Sequence, residues 1–254
     1  MLKQLSLRNF TVFKEADLKF SQGLNVIIGE NGTGKTHLLK MCYLLSNAWS
    51  HLSKDTSWSK DRIESYFSER MRQVFKPDKI GSLTTSDSDG KSSVGFWYCP
   101  SGKDSSILEE NNWRFSFSNR SKEKISSEGY GFADATNYGK SIYLPSKEMV
   151  SFFEGFLAAY EKRELQFDET YRDLALHLSA TKLKMSPTFI KQQGLKNLST
   201  DVGGTLKLEG GKFYLVSSGS KLREITLVAE GIRKIATLLH LLENGSLVVG
   251  DTLF

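Results

Sequence analysis

Residues 29–36 read GENGTGKT and fit the phosphate-binding loop pattern G-x-x-x-x-G-K-[ST]. An apolar run made of Leu24, Val26, Ile27 and Ile28 precedes the loop, and a helical pattern of apolar residues follows it from His37 to Leu45. A strand, a glycine-rich loop and a helix therefore come in the order that a phosphate site requires. An ordinary glycine turn would not require Lys-Thr directly after its last glycine, so we interpret the segment as a phosphate site entered from a buried strand.

Each residue type in the loop has a separate chemical reason to be there. Gly32 and Gly34 let backbone N–H groups turn toward a phosphate, and the positive end of the following helix adds to the same anion site. Lys35 would reach the β- and γ-phosphates, and the Thr36 hydroxyl would ligate Mg²⁺. The residues predicted to contact a nucleotide are Gly29, Glu30, Asn31, Gly32, Thr33, Gly34, Lys35, Thr36 and His37.

Composition and charge narrow the class of protein. Of the 254 residues, 39% are hydrophobic and 25% are charged, which is typical of a chain that can bury a core. No apolar run reaches the roughly 18 residues of a membrane span, and charges interrupt the N-terminal apolar residues, so we expect a cytoplasmic protein. Cys42 and Cys99 suit buried, reduced thiols, and a net charge of +5 permits contact with nucleic acid.

Alternation of apolar and polar residues predicts two half-buried strands over 2–7 and 16–20, on either side of a turn, leading into the strand before the loop. Residues 55–75 suit a surface helix, and residues 81–93, rich in Ser, Thr, Asp and Gly, are predicted to form an exposed loop. Two aromatic-rich strands are predicted at Val94–Cys99 and Trp113–Phe117, and we interpret them as an insertion sheet.

The second half of the chain carries its own sequence of elements. A short strand is predicted at Ser141–Leu144, and Ser146 is a candidate N-cap for a long helical region whose aromatic residues pack in a core. Thr205–Val216 is predicted to form a hairpin around Gly210-Gly211, and residues 228–234 should lead into a helix that ends before Gly245. A final strand should start in the apolar stretch that runs from Leu247 toward Phe254.

Three segments together carry a resemblance to a known family: LSLRNF at 5–10, LNVIIG at 24–29 and AEGIRK at 229–234. With the Asn31-Gly32 pair in the loop, they resemble the ABC-type ATPase heads of the RecF, SMC, Rad50 and OLD group. They look closest to the stand-alone AAA-type ATPases of bacterial anti-phage systems, such as the Septu-like and retron-associated ATPases. The resemblance implies an α/β P-loop NTPase fold, an ABC-ATPase-like head with an antiparallel β subdomain and a helical insertion, and ATP and Mg²⁺ as cofactors.

The same resemblance implies four parts of a single, incomplete head. They are an N-terminal lobe with the loop over 1–50, an insertion over 51–140, a helical lever region over 141–200, and a hairpin, signature helix and starting strand over 201–254. In the group, the segment equivalent to Glu230-Gly231 is a signature that contacts the γ-phosphate bound by a second protomer. We therefore expect a homodimer or higher oligomer, with a nuclease as a candidate partner, DNA as a further one, and no membrane.

The chain also departs from the group. There, the strand after the signature helix ends in Asp-Glu-Pro, which holds the metal and polarises the attacking water, whereas here the sequence ends at Thr252-Leu253-Phe254. We expect hydrolysis near background and a chain that is a fragment, a truncated product or half of a split ATPase. Asp251 is a candidate substitute acid, although the resemblance places it in the turn before that strand. Gln192 and Gln193 do not supply a γ-phosphate sensor.

Four functions stay open at this point. The first is an ATPase head that dimerises around nucleotide and drives a partner in anti-phage defence or DNA repair. The second is a non-hydrolysing ATP-dependent binding module, and the other two are a small-molecule kinase and a GTPase. A small-molecule kinase would need an acceptor pocket and an arginine-bearing lid, and a GTPase would need a guanine-reading N-K-x-D beside the D-x-x-G match at 201–204. The stretch 175–200 lacks acids and is either a solvated basic face or a nucleic-acid track.

Overall fold

A computed structural model describes residues 1–52, 58–86, 90–98, 112–129, 139–162, 165–181, 193–217, 219 and 221–254, with the backbone alone for 193–197. The chain divides into two compact units: Met1–Ser141 together with Phe254, and Ile142–Leu253. Among the described residues, no helix is both long and apolar enough to cross a membrane.

Unit 1 is built on an antiparallel sheet of five strands in the order β2-β1-β3-β4-β5. The strands are β1 (Leu2–Phe10), β2 (Phe13–Lys19), β3 (Lys91–Tyr98), β4 (Asn112–Ser118) and β5 (Ser126–Gly129). Leu5 of β1 lies opposite Leu18 on one side and Phe96 on the other, so alternate side chains of β1 and β3 enter the same core. The two half-buried strands predicted over 2–7 and 16–20 are confirmed as the pair β1 and β2.

The aromatic strands do not form a separate sheet, and that prediction is wrong. β3 pairs along β1, and β4 pairs along β3, so both extend the N-terminal sheet. The physical reason is that Val94 and Phe96 bury on the face that Leu5 and Leu7 occupy, which one continuous sheet satisfies. Cys99 lies outside the described residues.

Two helices cover the buried face of this sheet, α1 (Lys35–Leu52) and α2 (Lys60–Phe75). Trp49 of α1 stacks on Tyr98 with ring centroids 4.9 Å apart, and Phe67 of α2 lies 5.6 Å from Phe115. The Ser59 side chain caps α2 by accepting a hydrogen bond from the Arg62 amide. The helix predicted to start at His37 is confirmed and is longer at both ends.

Two predictions in unit 1 are wrong. Residues 24–28 form no strand, and Leu24, Val26 and Ile28 are 84%, 72% and 87% exposed, because no described strand of unit 1 pairs with them. The predicted exposed loop over 81–93 is instead partly structured. Ile80–Leu83 is a 3-10 turn in the core, and the segment from residue 91 belongs to β3; residues 87–89 lie outside the description.

Unit 2 combines a three-stranded antiparallel sheet, β7-β8-β9, with four helices among its described residues. The elements are β6 (Ser141–Ile142), α3 (Phe156–Glu161), α4 (Glu169–Ser179), α5 (Gln193–Val202), β7 (Thr205–Glu209), β8 (Lys212–Val216), β9 (Leu222–Glu224), α6 (Glu230–Glu243) and β10 (Thr252–Leu253), with 3-10 turns at Val150–Phe152 and Ile225–Leu227. The predicted hairpin is confirmed: Gly210 and Gly211 have φ of 59° and 83°, as a tight two-residue turn requires. β6 pairs with β10.

The helical region after Ser146 differs from its prediction. Ser146 caps no helix, because the chain instead forms the 3-10 turn at Val150–Phe152 and breaks at Gly155, whose φ is 67°, before the short α3. The aromatic residues still pack as predicted, with Phe152 stacked 5.4 Å from Phe167. α6 ends at Glu243 and is followed by Gly245 at φ 73°, so the predicted helix end is confirmed.

The final strand starts later than predicted. Residues 247–250 form bends and a turn, and β10 is confined to Thr252–Leu253. Asp251 closes the turn by accepting a hydrogen bond of 2.9 Å from the Val248 amide. The Asp251 carboxylate thus has a structural partner in the turn that precedes the strand.

Candidate functional site

The loop at residues 29–36 leads directly into α1, which starts at Lys35. The Leu38 amide donates the first backbone hydrogen bond of the helix, 2.9 Å to the carbonyl of Gly34. The amides of Lys35, Thr36 and His37 precede that bond, and such amides at a helix start are the ones available to an anion.

Two glycines shape the loop for different reasons. Gly32 has a φ of 82° and no atom within 4 Å of the place where a Cβ would lie, so only its backbone conformation calls for glycine. Gly34 has a φ of 88°, and a Cβ there would lie 2.5 Å from Val12 Cγ2 and 2.8 Å from the Phe13 ring. The turn between β1 and β2 therefore packs directly on the loop and holds it in place.

Lys35 folds back over the loop. Its Nζ donates to the carbonyl oxygens of Gly29 at 2.7 Å and Glu30 at 2.5 Å, and the Thr33 hydroxyl donates to the same Glu30 carbonyl at 2.8 Å. These bonds place a positive charge at the opening of the loop without burying it. An incoming phosphate oxygen would meet this ammonium group together with the helix-start amides.

A cavity of about 260 Å³ lies beside these groups in unit 1. Its lining consists of Val12, Asn31, Gly32, Gly34, Lys35, Thr36 and His37. Val12 is 51% exposed and supplies the main apolar surface of this lining. The cavity therefore offers cationic, polar and apolar contacts side by side, which is what a nucleotide with its phosphates and its base requires.

His37 lines the cavity with a partly buried side chain. Its ring meets Phe75 edge-on at 5.8 Å, and its Nδ1 is buried without a hydrogen-bond partner among the described residues. Burial, and next the charge of Lys40, lower the pKa of His37 below its usual value of 6.5. At neutral pH His37 is thus a neutral residue that lines the cavity and packs on Phe75.

The chemistry of the loop fits a magnesium ion only together with phosphate. No group of three or more His, Cys, Asp or Glu residues in the described part of the chain could hold a metal ion. Thr36 offers one hydroxyl oxygen at the cavity, and Mg²⁺ prefers six oxygen ligands, many of them from water and phosphate. The residues present therefore suit a metal that arrives with its nucleotide.

The second candidate segment, Glu230-Gly231, opens α6 in unit 2. Gly231 is exposed, and nothing lies within 4 Å of the place where a Cβ would be. Glu230 pairs with Lys234 at 2.9 Å, and this hydrogen bond and the Lys234 charge lower the pKa of Glu230, with a further contribution from Arg233. The helix start is open to an approaching group.

Some predicted residues lie outside this geometry, and others were missed. Gln192 is outside the described residues, as are Lys182, Lys184 and Lys191 of the basic stretch, and only the backbone of Gln193 is described, at the start of α5. Sequence reasoning missed Val12 and Phe13, because the residues of a turn carry no periodicity that reveals what they pack against.

Comparison with known proteins identifies a family and relatives that match over part of their length. A family model described as AAA ATPase domain matches residues 1–199. The DNA replication and repair protein RecF of Streptococcus equi subsp. zooepidemicus (strain MGCS10565) is 44% identical over 69 residues, which are 27% of this chain and 17% of that protein. RecF of Oenococcus oeni (strain ATCC BAA-331 / PSU-1) is 41% identical over 64 residues, or 24% and 17%. The chain thus matches only a small part of the length of these relatives.

Solved structures show distant similarity. The SMC head domain from Thermotoga maritima is 14% identical, with a TM-score of 0.36, over 94% of this chain and 71% of that one. A structure of the recombination mediator protein RecF with ATP is 20% identical, with a TM-score of 0.36, over 78% of this chain and 48% of that one.

Proposed function

The chain belongs to the AAA ATPase domain family, and on that premise we propose that it is an ATP-binding head that closes into a homodimer or higher oligomer around nucleotide. The observation that carries this proposal is the loop at 29–36, where a cationic side chain, helix-start amides and an apolar wall meet at one cavity. The cofactors would be ATP and Mg²⁺.

In this proposal each loop residue has a definite role. Lys35 exchanges its bonds to the Gly29 and Glu30 carbonyls for the β- and γ-phosphates, which are stronger acceptors because they are charged. Thr36 ligates the magnesium ion, which neutralises phosphate charge when bound. Gly32 and Gly34 keep the backbone in the conformation that surrounds the phosphates.

Replacing Lys35 tests nucleotide binding directly. We expect Lys35→Ala to weaken ATP affinity by roughly tenfold or more in a calorimetric titration, because the variant loses a charge-assisted contact to phosphate. Lys60→Ala is the matched control, since it removes the same charge from an exposed position in unit 1 where 68% of the side chain is accessible. Equal affinities for Lys35→Ala and the unmodified chain would disprove the assignment of the loop.

Gly231 tests the dimer. The position has room for a side chain, so Gly231→Trp should leave the monomer folded while placing a large group where a second protomer would approach. We expect ATP-dependent dimerisation on size exclusion to be lost in Gly231→Trp and kept in Gly231→Ala, with nucleotide binding by the monomer unchanged. A dimer that persists in Gly231→Trp would remove Gly231 from the interface.

A second candidate function is a binding module that holds ATP without hydrolysing it. Asp251 is engaged in its turn by the Val248 amide, and we assign it no catalytic role. Steady-state ATP hydrolysis that depends on Lys35 would favour the ATPase, whereas tight binding without turnover would favour the module. Asp251→Asn should change neither the rate of ATP hydrolysis nor the affinity for ATP.

The partner in our proposal is a nuclease acting in anti-phage defence or DNA repair, with DNA as the shared substrate. The similarity to the DNA replication and repair protein RecF and the net charge of +5 support DNA as a partner. In bacteria that express this protein together with its nuclease partner, phage plating efficiency should rise when Lys35→Ala replaces the natural chain. Unchanged plating with impaired repair of damaged DNA would favour the repair role.

A further inference from the structure

The first turn of α6 is held from within unit 2 by a buried ion pair. Arg233 lies two residues after Gly231, and its Nε is 3.2 Å from Oε1 of Glu148, with side chains only 17% and 6% exposed. The ion pair Lys212–Glu154 also joins separate segments of this unit, and its side chains are 55% and 59% exposed at the same distance of 3.2 Å. The Glu148–Arg233 pair is therefore much less exposed to water than the Lys212–Glu154 pair.

Hydrogen bonds from Ser151 hold the Glu148 carboxylate in place independently of Arg233. Its Oε2 accepts a hydrogen bond from the Ser151 amide at 3.2 Å, and its Oε1 accepts one from the Ser151 hydroxyl at 2.5 Å. Both carboxylate oxygens are thus tied to the 3-10 turn at Val150–Phe152. The Arg233 Nε–H makes no hydrogen bond within the described part of the chain, so its attraction to Glu148 is coulombic.

Burying such a pair is not an efficient way to gain stability. Desolvation of two charges offsets most of their attraction, and apolar replacements of similar volume are often as stable or more so. A charge pair does, however, favour one relative placement of the two segments that carry it, whereas apolar contacts tolerate several. The pair therefore suits positioning better than it suits stabilisation.

We propose that Glu148 is a positioning residue that, through Arg233, sets the orientation of the first turn of α6 so that Gly231 faces the nucleotide bound by a second copy of this chain. This inference rests on the proposed function.

The test compares variants in one sedimentation assay of ATP-dependent dimerisation. Glu148→Gln should raise the dimer dissociation constant roughly tenfold, while the ATP affinity of the monomer stays unchanged because the loop lies in unit 1. Glu154→Gln is the matched control: it removes the exposed partner of Lys212 in the same unit and should change neither quantity.

A double variant separates positioning from stability. Glu148→Gln/Arg233→Met removes both charges, so its melting temperature should return to that of the unmodified chain while dimerisation stays weak. Dimerisation that recovers together with the melting temperature, or that is normal in Glu148→Gln, would overturn the inference. Gly231→Trp is measured alongside: if it too dimerises normally, Gly231 leaves the proposed interface, whereas if Gly231→Trp is blocked and Glu148→Gln dimerises normally, only the role of Glu148 fails.

Discussion

At the scale of single residues, Gly34 is fixed by two independent demands. Its φ of 88° belongs to the region that favours glycine, and the Val12 and Phe13 side chains leave no room for a Cβ. The loop pattern predicts a glycine that leaves room for a phosphate, and the turn that packs on Gly34 is a second reason for glycine. The sequence could not reveal this contact.

His37 should make stability depend on pH. Its folded pKa is lowered, chiefly by burial, so the stabilisation from keeping it neutral is present above about pH 6.5 and is lost as pH falls through the folded pKa. We expect the free energy of unfolding in urea to fall more steeply between pH 7.5 and 5 for the natural chain than for His37→Gln. Parallel curves for the two proteins would show that His37 does not titrate differently on folding.

Among the elements, two valines that both lie in apolar segments predicted to be strands differ in burial. Val94 is fully buried in β3, whereas Val26, in the apolar run before the loop, is 72% exposed. Apolar residues in an extended segment become buried only when neighbouring strands cover them, and the local pattern does not say whether they are covered. The wrong strand prediction at 24–28 and the wrong sheet assignment of β3 both have this cause.

The same contrast gives a prediction for stability. We expect Val94→Ala to cost about 2 kcal/mol, from lost burial and the cavity left behind, and Val26→Ala to cost less than about 0.5 kcal/mol. Urea unfolding followed by circular dichroism measures both. Equal costs would mean that Val26 is covered in solution, by a second copy or by another chain.

At the scale of the whole molecule, the described residues form two hydrophobic cores, one in each unit. All four tryptophans, Trp49, Trp58, Trp97 and Trp113, belong to unit 1, which also contains the loop at 29–36. Tryptophan fluorescence therefore reports on the unit that would bind nucleotide.

Nucleotide should stabilise that unit by mass action. With Mg²⁺-ATP at a hundred times its dissociation constant, we expect unit 1 to gain about 2.7 kcal/mol, seen as a shift of the tryptophan-monitored urea midpoint. Lys35→Ala should gain at most about 1.4 kcal/mol at the same concentration, as a tenfold loss of affinity implies, and Lys60→Ala should shift like the natural chain. A full shift in Lys35→Ala would place the binding site elsewhere.

Local chemistry in the sequence was enough to predict the loop pattern at 29–36, the hairpin at Gly210-Gly211 and the end of α6 before Gly245. Each follows from a few adjacent residues whose backbone preferences or charges suffice. The folded structure was needed to show which strands share a sheet, that the Val12 turn lies on Gly34, and that Glu148 pairs with Arg233. These contacts join residues far apart in the chain, and their free energy depends on what covers them, which no short stretch of sequence contains.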